Sequence, residues 1–394
     1  MHTSPLAQPG SGDGGGMNVY VRELATALAR SGVSCDLYTR ASDPGQPATV
    51  SIEPGLEVHH VPAGPVAPVP KELLPDLVDE FADGVMRRMA DGTELIHANY
   101  WLSGQAGHKV KHALDLPLVS TFHTLARVKA AADEDEPARR AVSEADTVRC
   151  SDALLVSSAE EALDLVRLYQ ADADRIEIVP PGVEHAFFAP GDQAQARRAV
   201  GLPQDIPVLL FAGRIQRLKG LEVAVRAMAL VPGSPILVVV GGPSGAQGQD
   251  ELDGARELAT RLGVSDRVRF VPPQPHELLS TYYRAADVSL VPSRSESFGL
   301  VALEAAACGT PVVASAVGGL RNLVEHGRTG FLVETRDPAA FAAAVESLLT
   351  DRWRAAEMSA EAAAKARNYT WGAAAVGLRQ LYEKLTSRAL VECR

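Results

Sequence analysis

A chain of 394 residues exceeds what one hydrophobic core usually serves, so two domains are expected. Hydrophobic residues make up 46% and charged residues 22%, a soluble globular balance; the net charge of -11 argues against nucleic acid or an anionic membrane as main partner, so an anionic ligand needs a local basic site. No apolar run reaches membrane-spanning length, no signal peptide is read, and Cys35, Cys150, Cys308 and Cys393 are scattered without a CxxC pair, which fits a reducing cytosol without structural zinc.

In chain order, residues 2–16 read HTSPLAQPGSGDGGG, a loop rich in glycine and proline. Met17, Val21, Leu24 and Leu28 follow helical spacing up to Ser31-Gly32, and a strand fits 35–39. A glycine loop before the first helix of a doubly wound domain should itself follow a strand, yet only Met1 precedes it. The first strand is therefore expected to be missing, with a misassigned start codon as the reading. Short apolar strands fit 57–61, 95–97, 118–122, 153–157 and 176–179, with helical patterns between them, as at 75–90 and 160–169. The proline- and glycine-rich stretch 180–191 is the expected boundary. A second alternating set follows at 208–212, 236–240, 268–271, 288–291, 312–314 and 331–333, and a last helix at about 371–385. Alternation of this kind argues for parallel sheets covered on both faces. The expected fold class is α/β, with two doubly wound Rossmann-like domains facing a cleft. Residues 1–183 form an acceptor-binding domain, 184–370 a nucleotide-sugar domain, and 371–394 a helix returning to the first. Ligands of such domains lie at the carboxyl ends of the strands.

Those ends carry the unusual residues. In SESFGLVALEAAACGTPVVASAVGG, residues 295–319, Glu296 precedes a helix that carries Glu304, and Gly299-Leu300 opens that helix toward an anion. In FAGRIQRLKG, Arg214 and Lys219 follow a strand, a fork and a point charge that suit a diphosphate. Gly14, Gly15 and Gly16 before Met17-Asn18 let backbone approach a phosphate or sugar, although this is not GxGxxG and no dehydrogenase is read. His123 and Thr124 end one strand, and Tyr100-Trp101 another. Lys71 and Arg139-Arg140 are further cations, while Asp133-Glu134-Asp135 and Asp172-Ala173-Asp174 read as solvated acids.

With these residues in hand, the chain resembles the retaining glycosyltransferases of the GT-B fold, family 4. The carriers are Glu296-x7-Glu304 with Phe298-Gly299, Gly213-Arg214 with Lys219, the linker PPGVEHAFFAP and HTSPLAQPG followed by GGMNVYV. HxxYWLSG, HTLA, GRIQxLK and VGGL add to it. The resemblance implies transfer of N-acetylglucosamine from UDP-N-acetylglucosamine to 1D-myo-inositol 3-phosphate, in mycothiol biosynthesis, by a cytoplasmic hexosyltransferase. It implies that Gln8, Pro9, Gly16, Arg214, Lys219, Gln274, Glu296, Phe298, Gly299, Leu300 and Glu304 meet the donor. Arg214 and Lys219 hold its diphosphate, Glu304 its ribose hydroxyls, Glu296 its sugar hydroxyls and the Gln274 backbone its uracil. His2, Asp13, Gly14, Gly15, Gly16, Met17, Asn18, Lys71, Tyr100, Thr124 and Arg140 fall where the family binds inositol phosphate. His123, Arg214, Lys219 and Glu296 are the implied catalytic set. A peripheral Mg²⁺, not needed for chemistry, maps to Tyr283, Arg284, Ala286 and Thr310, and a homodimer is implied.

This sequence departs from the family at several points: Arg217 and Gly220 flank Lys219 unusually, Asn99 replaces a histidine, and Arg321-Asn322 follows VGGL. A paralogue with another acceptor fits these departures. No carboxylate reads as a nucleophile, so same-face attack with retention is expected. The rival readings are a non-hydrolysing UDP-sugar epimerase and a degenerate, non-catalytic sugar-nucleotide-binding remnant.

Overall fold

The computed structural model describes residues 1–10, 12, 14–131, 136–245 and 247–392. Asp13, Asp133-Glu134-Asp135 and Cys393, singled out above, lie outside the described residues. The chain divides into two units, Met1–Ala7, Met17–Gly182 and Trp371–Arg394 in one, and Gln8–Gly16 with Val183–Thr370 in the other.

In the first unit, β1 (Cys35–Arg40), β2 (Thr49–Glu53) and β3 (Leu56–Val61) form a three-stranded sheet in the order β1-β3-β2. β1 runs parallel to β3, with Cys35 opposite Leu56, and β2 runs antiparallel with an irregularity between Ser51 and Glu53. β4 (Ile96–Asn99), β5 (Leu118–Thr121), β6 (Ala153–Val156) and β7 (Ile176–Ile178) form a separate parallel sheet in chain order. Among the described residues no strand lies between β1 and β4. A cavity of about 980 Å³ follows that gap, lined among others by Leu24, Leu28, Leu37, Phe81, Ile96 and Val110. The interruption expected from the sequence is thus present in the sheet. The helix Trp371–Thr386 packs Trp371, Leu378 and Leu381 against Tyr20, Leu24, Val119 and Leu155 of the same unit.

The second unit contains β8 (Val208–Ala212), β9 (Ile236–Val240), β10 (Val268–Val271), β11 (Val288–Val291), β12 (Val312–Ser315) and β13 (Gly330–Val333). They form one sheet in the order β10-β9-β8-β11-β12-β13, parallel throughout. β8 is buried along its whole length, which explains a run of apolar residues with no alternation. One core lies around Leu209, Leu237 and Val313, the other around Leu210, Val238 and Ala314, so successive residues of each strand feed opposite faces.

Residues 8–16, read from the sequence with the first domain, pack with this second unit. Gln8 Nε2 donates to the Pro273 carbonyl at 3.3 Å, and Gly10 N to Gly14 O at 2.9 Å. Of the cysteines, Cys35 and Cys308 are free thiols.

Candidate active site

In the second unit, β8 ends at Ala212 and Gly213 turns the chain so that Arg214 leaves the sheet edge. A Cβ on Gly15 would stand 2.7 Å from Arg214 Nε, so a larger residue there would have to push this side chain aside. Arg214 Nη1 reaches Ser244 Oγ at 3.5 Å. Lys219 ends the short helical turn Arg217–Lys219, and its Nζ pairs with Glu296 Oε2 at 2.6 Å. Ser293 Oγ donates to the same oxygen at 3.3 Å, and Gly319 N holds the Glu296 carbonyl at 3.0 Å. A Cβ on Gly318 would fall 2.0 Å from that carbonyl, and its φ of +45° is left-handed, so the Gly318-Gly319 turn is what seats Glu296.

Gly299, at φ +99°, starts the helix Leu300–Ala307 with no side-chain cap, leaving amide donors of the first turn to an anion. Glu304 lies one turn further on, bonded by Tyr283 Oη at 2.9 Å and His276 Nε2 at 2.7 Å. Every residue that the resemblance assigned to the donor lies in this unit, including Gln8, Pro9 and Gly16. Sequence reading missed Ser244, Ser293 and His276, and gave Tyr283 a metal role only. Each is ordinary in sequence, and its part shows only once helices and loops are placed.

In the first unit a second group gathers on Tyr100. Its left-handed backbone, φ +78°, turns the chain at the end of β4. Lys71 Nζ stands 5.1 Å and Arg140 Cζ 5.2 Å from the ring centroid, and the His2 ring 4.2 Å away. Arg140, 2% exposed, bonds Glu144 Oε1 at 2.7 Å, Glu136 Oε2 at 2.8 Å and Thr124 Oγ1 at 2.9 Å. Those two carboxylates satisfy Arg140; Lys71 has no carboxylate partner among the described residues, and the buried Tyr100 hydroxyl no hydrogen bond. His2, Lys71, Tyr100, Thr124 and Arg140 are therefore brought together. Met17 and Asn18 sit in the same unit, Asn18 Nδ2 bonding Thr3 Oγ1 at 2.9 Å, while Gly14, Gly15 and Gly16 fall in the second unit.

His123 follows β5 with φ +62°, its ring 4.8 Å from Tyr20 and its Nε2 2.8 Å from Asn99 Oδ1. Desolvation, helped by His97, lowers its pKa to about 3, so the imidazole is neutral. His97 is desolvated to about 4 between Tyr382 Oη and Thr121 Oγ1, at 2.7 and 2.8 Å.

The groups assigned to Mg²⁺ offer neutral oxygens already in use. Tyr283 O accepts from Thr310 Oγ1 at 2.6 Å and from Ala286 N at 3.1 Å, and Ala286 O from Gln193 Nε2 at 3.0 Å. The Arg284 guanidinium bonds Phe187 O at 3.0 Å. The set offers neutral oxygens and no carboxylate, and no step below is routed through a metal.

Comparison with known proteins fits this geometry. Residues 15–182 match the family described as glycosyl transferase 4-like domain, and residues 192–368 the family described as glycosyl transferases group 1. The chain is 49% identical to the D-inositol 3-phosphate glycosyltransferase of Xylanimonas cellulosilytica, over 98% of this chain and 96% of that one. This chain belongs to the group 1 glycosyltransferases. Another member of this glycosyltransferase family, from Acidothermus cellulolyticus and of the same name, is 48% identical over 97% of this chain and 88% of its own length. Among solved structures, sucrose-phosphate synthase of Thermosynechococcus elongatus superposes with a TM-score of 0.92 at 36% identity, covering 98% and 97% of the two chains. Anabaena HepE, solved with UDP and glucose, superposes at 0.77 and 20% identity over 97% and 98%, a likeness of fold. The protein is thus a hexosyltransferase of GT-B fold, and no helix among its described residues is long and apolar enough to cross a membrane.

Proposed function

We propose that this glycosyltransferase moves N-acetylglucosamine from UDP-N-acetylglucosamine to 1D-myo-inositol 3-phosphate, with retention of configuration. The observation that carries the acceptor is the Tyr100 group. An unpaired ammonium, a buried hydroxyl without a partner and the Thr124 hydroxyl suit one phosphate, in a protein of net charge -11. The relatives' name, D-inositol 3-phosphate glycosyltransferase, points the same way.

On the donor side, Arg214 and Lys219 take the diphosphate, and the uncapped amides after Gly299 add to them. Incoming phosphate displaces Glu296 from Lys219, and the released carboxylate meets the sugar hydroxyls. As the glycosidic bond stretches, charge grows on the β-phosphate, and these fixed donors stabilise it. The ring gains oxocarbenium character. No carboxylate stands in a nucleophile's role, so the acceptor hydroxyl attacks from the face the phosphate leaves and gives that phosphate its proton. His123 is neutral, so its imidazole offers hydrogen bonding without adding charge. The test is product analysis: the proton spectrum should show an α-anomer on the inositol ring, and a β-anomer or free sugar would overturn the reading.

A further inference from the structure

Glu304 is 5% exposed, and both its oxygens are engaged from one neighbouring helix, His276–Ala285. Tyr283 Oη donates to Oε2 at 2.9 Å, and His276 Nε2 lies 2.7 Å from Oε1. These contacts take one acceptor site on each oxygen. A carboxylate offers about four, so one remains on each side. Two acceptors on one planar group match two adjacent hydroxyls. The supports are themselves fixed. Tyr283 is wholly buried, its carbonyl is held by Thr310 Oγ1 at 2.6 Å, and the His276 ring lies 4.9 Å from Phe188. Burial, then the Glu304 charge, push the Tyr283 hydroxyl well above its ordinary value, so it stays a donor.

We propose that Tyr283 and His276 are positioning residues that set the Glu304 carboxylate to receive both ribose hydroxyls of the nucleotide at once. Discrimination between a ribose and a deoxyribose then depends on two side chains that never touch the ligand. The proposal rests on Glu304 binding the ribose. A purely structural pair, by contrast, would hold two helices together and affect every nucleotide alike.

The experiment is calorimetric binding of UDP, 2′-deoxy-UDP and 3′-deoxy-UDP to the full chain and to Tyr283→Phe, His276→Ala and His276→Gln. The wild type should prefer UDP over either deoxy form by roughly tenfold or more, as loss of a hydrogen bond to a charged group predicts. Tyr283→Phe and His276→Ala should narrow that ratio to about threefold or less, each missing donor letting the carboxylate turn. His276→Gln, which keeps an N–H donor, should retain most of it. Discrimination by the wild type that both disruptive variants preserve overturns the positioning role alone. UDP binding by the wild type without discrimination overturns the Glu304–ribose reading and this proposal with it. Because the readout is a ratio within each variant, a loss of stability in one of them does not mimic the effect, and the two histidine variants test the claim independently of Tyr283→Phe.

Discussion

Arg214 lies against Gly15, where a Cβ would stand 2.7 Å from its Nε, and its Nη1 reaches Ser244 Oγ at 3.5 Å. Arg214→Ala should lower kcat by about 10²–10³-fold, the cost of removing one such donor, and raise KM less, because the charge it serves grows only in the transition state. Steady-state kinetics with varied donor decide this, and an unchanged kcat contradicts it. The titrating groups make a separate prediction. His97 and His123 are held at about 4 and about 3, below their ordinary 6.5, so below pH 6.5 the unfolded chain binds more protons. Their contribution to stability is complete above pH 6.5 and drains as pH falls toward 4 for His97 and toward 3 for His123. Glu161 has the opposite sign: burial raises it from 4.5 to about 7, so its contribution is present below pH 4.5 and is lost as pH rises through 7. Glu161→Gln should therefore make Tm climb more steeply with pH between 4.5 and 7 than in the wild type; equal slopes in thermal melts contradict the assignment. At this scale Arg214 and Lys219 were legible because Gly213 and Gly220 flank them, and Glu296 and Glu304 because they precede and ride on the helix that opens at Gly299-Leu300. The supports were not: nothing in the local sequence of His276 or Ser293 shows that folding brings it to a glutamate.

The elements were read best where burial is complete. β8 and β9 have no polar face, and continuous apolar runs announced their limits. β2 escaped notice although TVSIE alternates, because it is short and half exposed, and among the described residues it pairs with β3 alone. Among the described residues, the gap between β1 and β4 leaves two strand edges without a neighbour, with a cavity of mixed polarity beside them. Hydrogen exchange should accordingly find β1 and β4 amides opening faster than those of β8 and β9; equal protection contradicts it. The turn at Gly318 makes the other prediction of this scale. Gly318→Ala puts a methyl carbon on the Glu296 carbonyl, and should reduce activity by at least about tenfold while Arg321→Ala, on an exposed ion pair with Glu334, leaves it within about twofold. Activity of both variants, measured beside their melts, checks this.

For the whole molecule, the α/β class and the family were within reach of sequence, since alternation and motif run nearly end to end. The contacts that join the glycine loop to Arg214, Gly242 and Pro273 were not, because they link residues about two hundred or more apart. The resemblance had grouped His2, Lys71, Tyr100 and Arg140; what it did not show is that the other three gather on the Tyr100 ring. The central claim is that this second group receives a phosphorylated cyclitol. The direct measurement is UDP release from UDP-N-acetylglucosamine, with and without 1D-myo-inositol 3-phosphate, in the wild type and Lys71→Ala. The account predicts release that requires the inositol phosphate and, in Lys71→Ala, a KM for that acceptor raised by about tenfold or more. Release that is indifferent to inositol phosphate, or a Lys71→Ala enzyme with an unchanged acceptor KM, would contradict it.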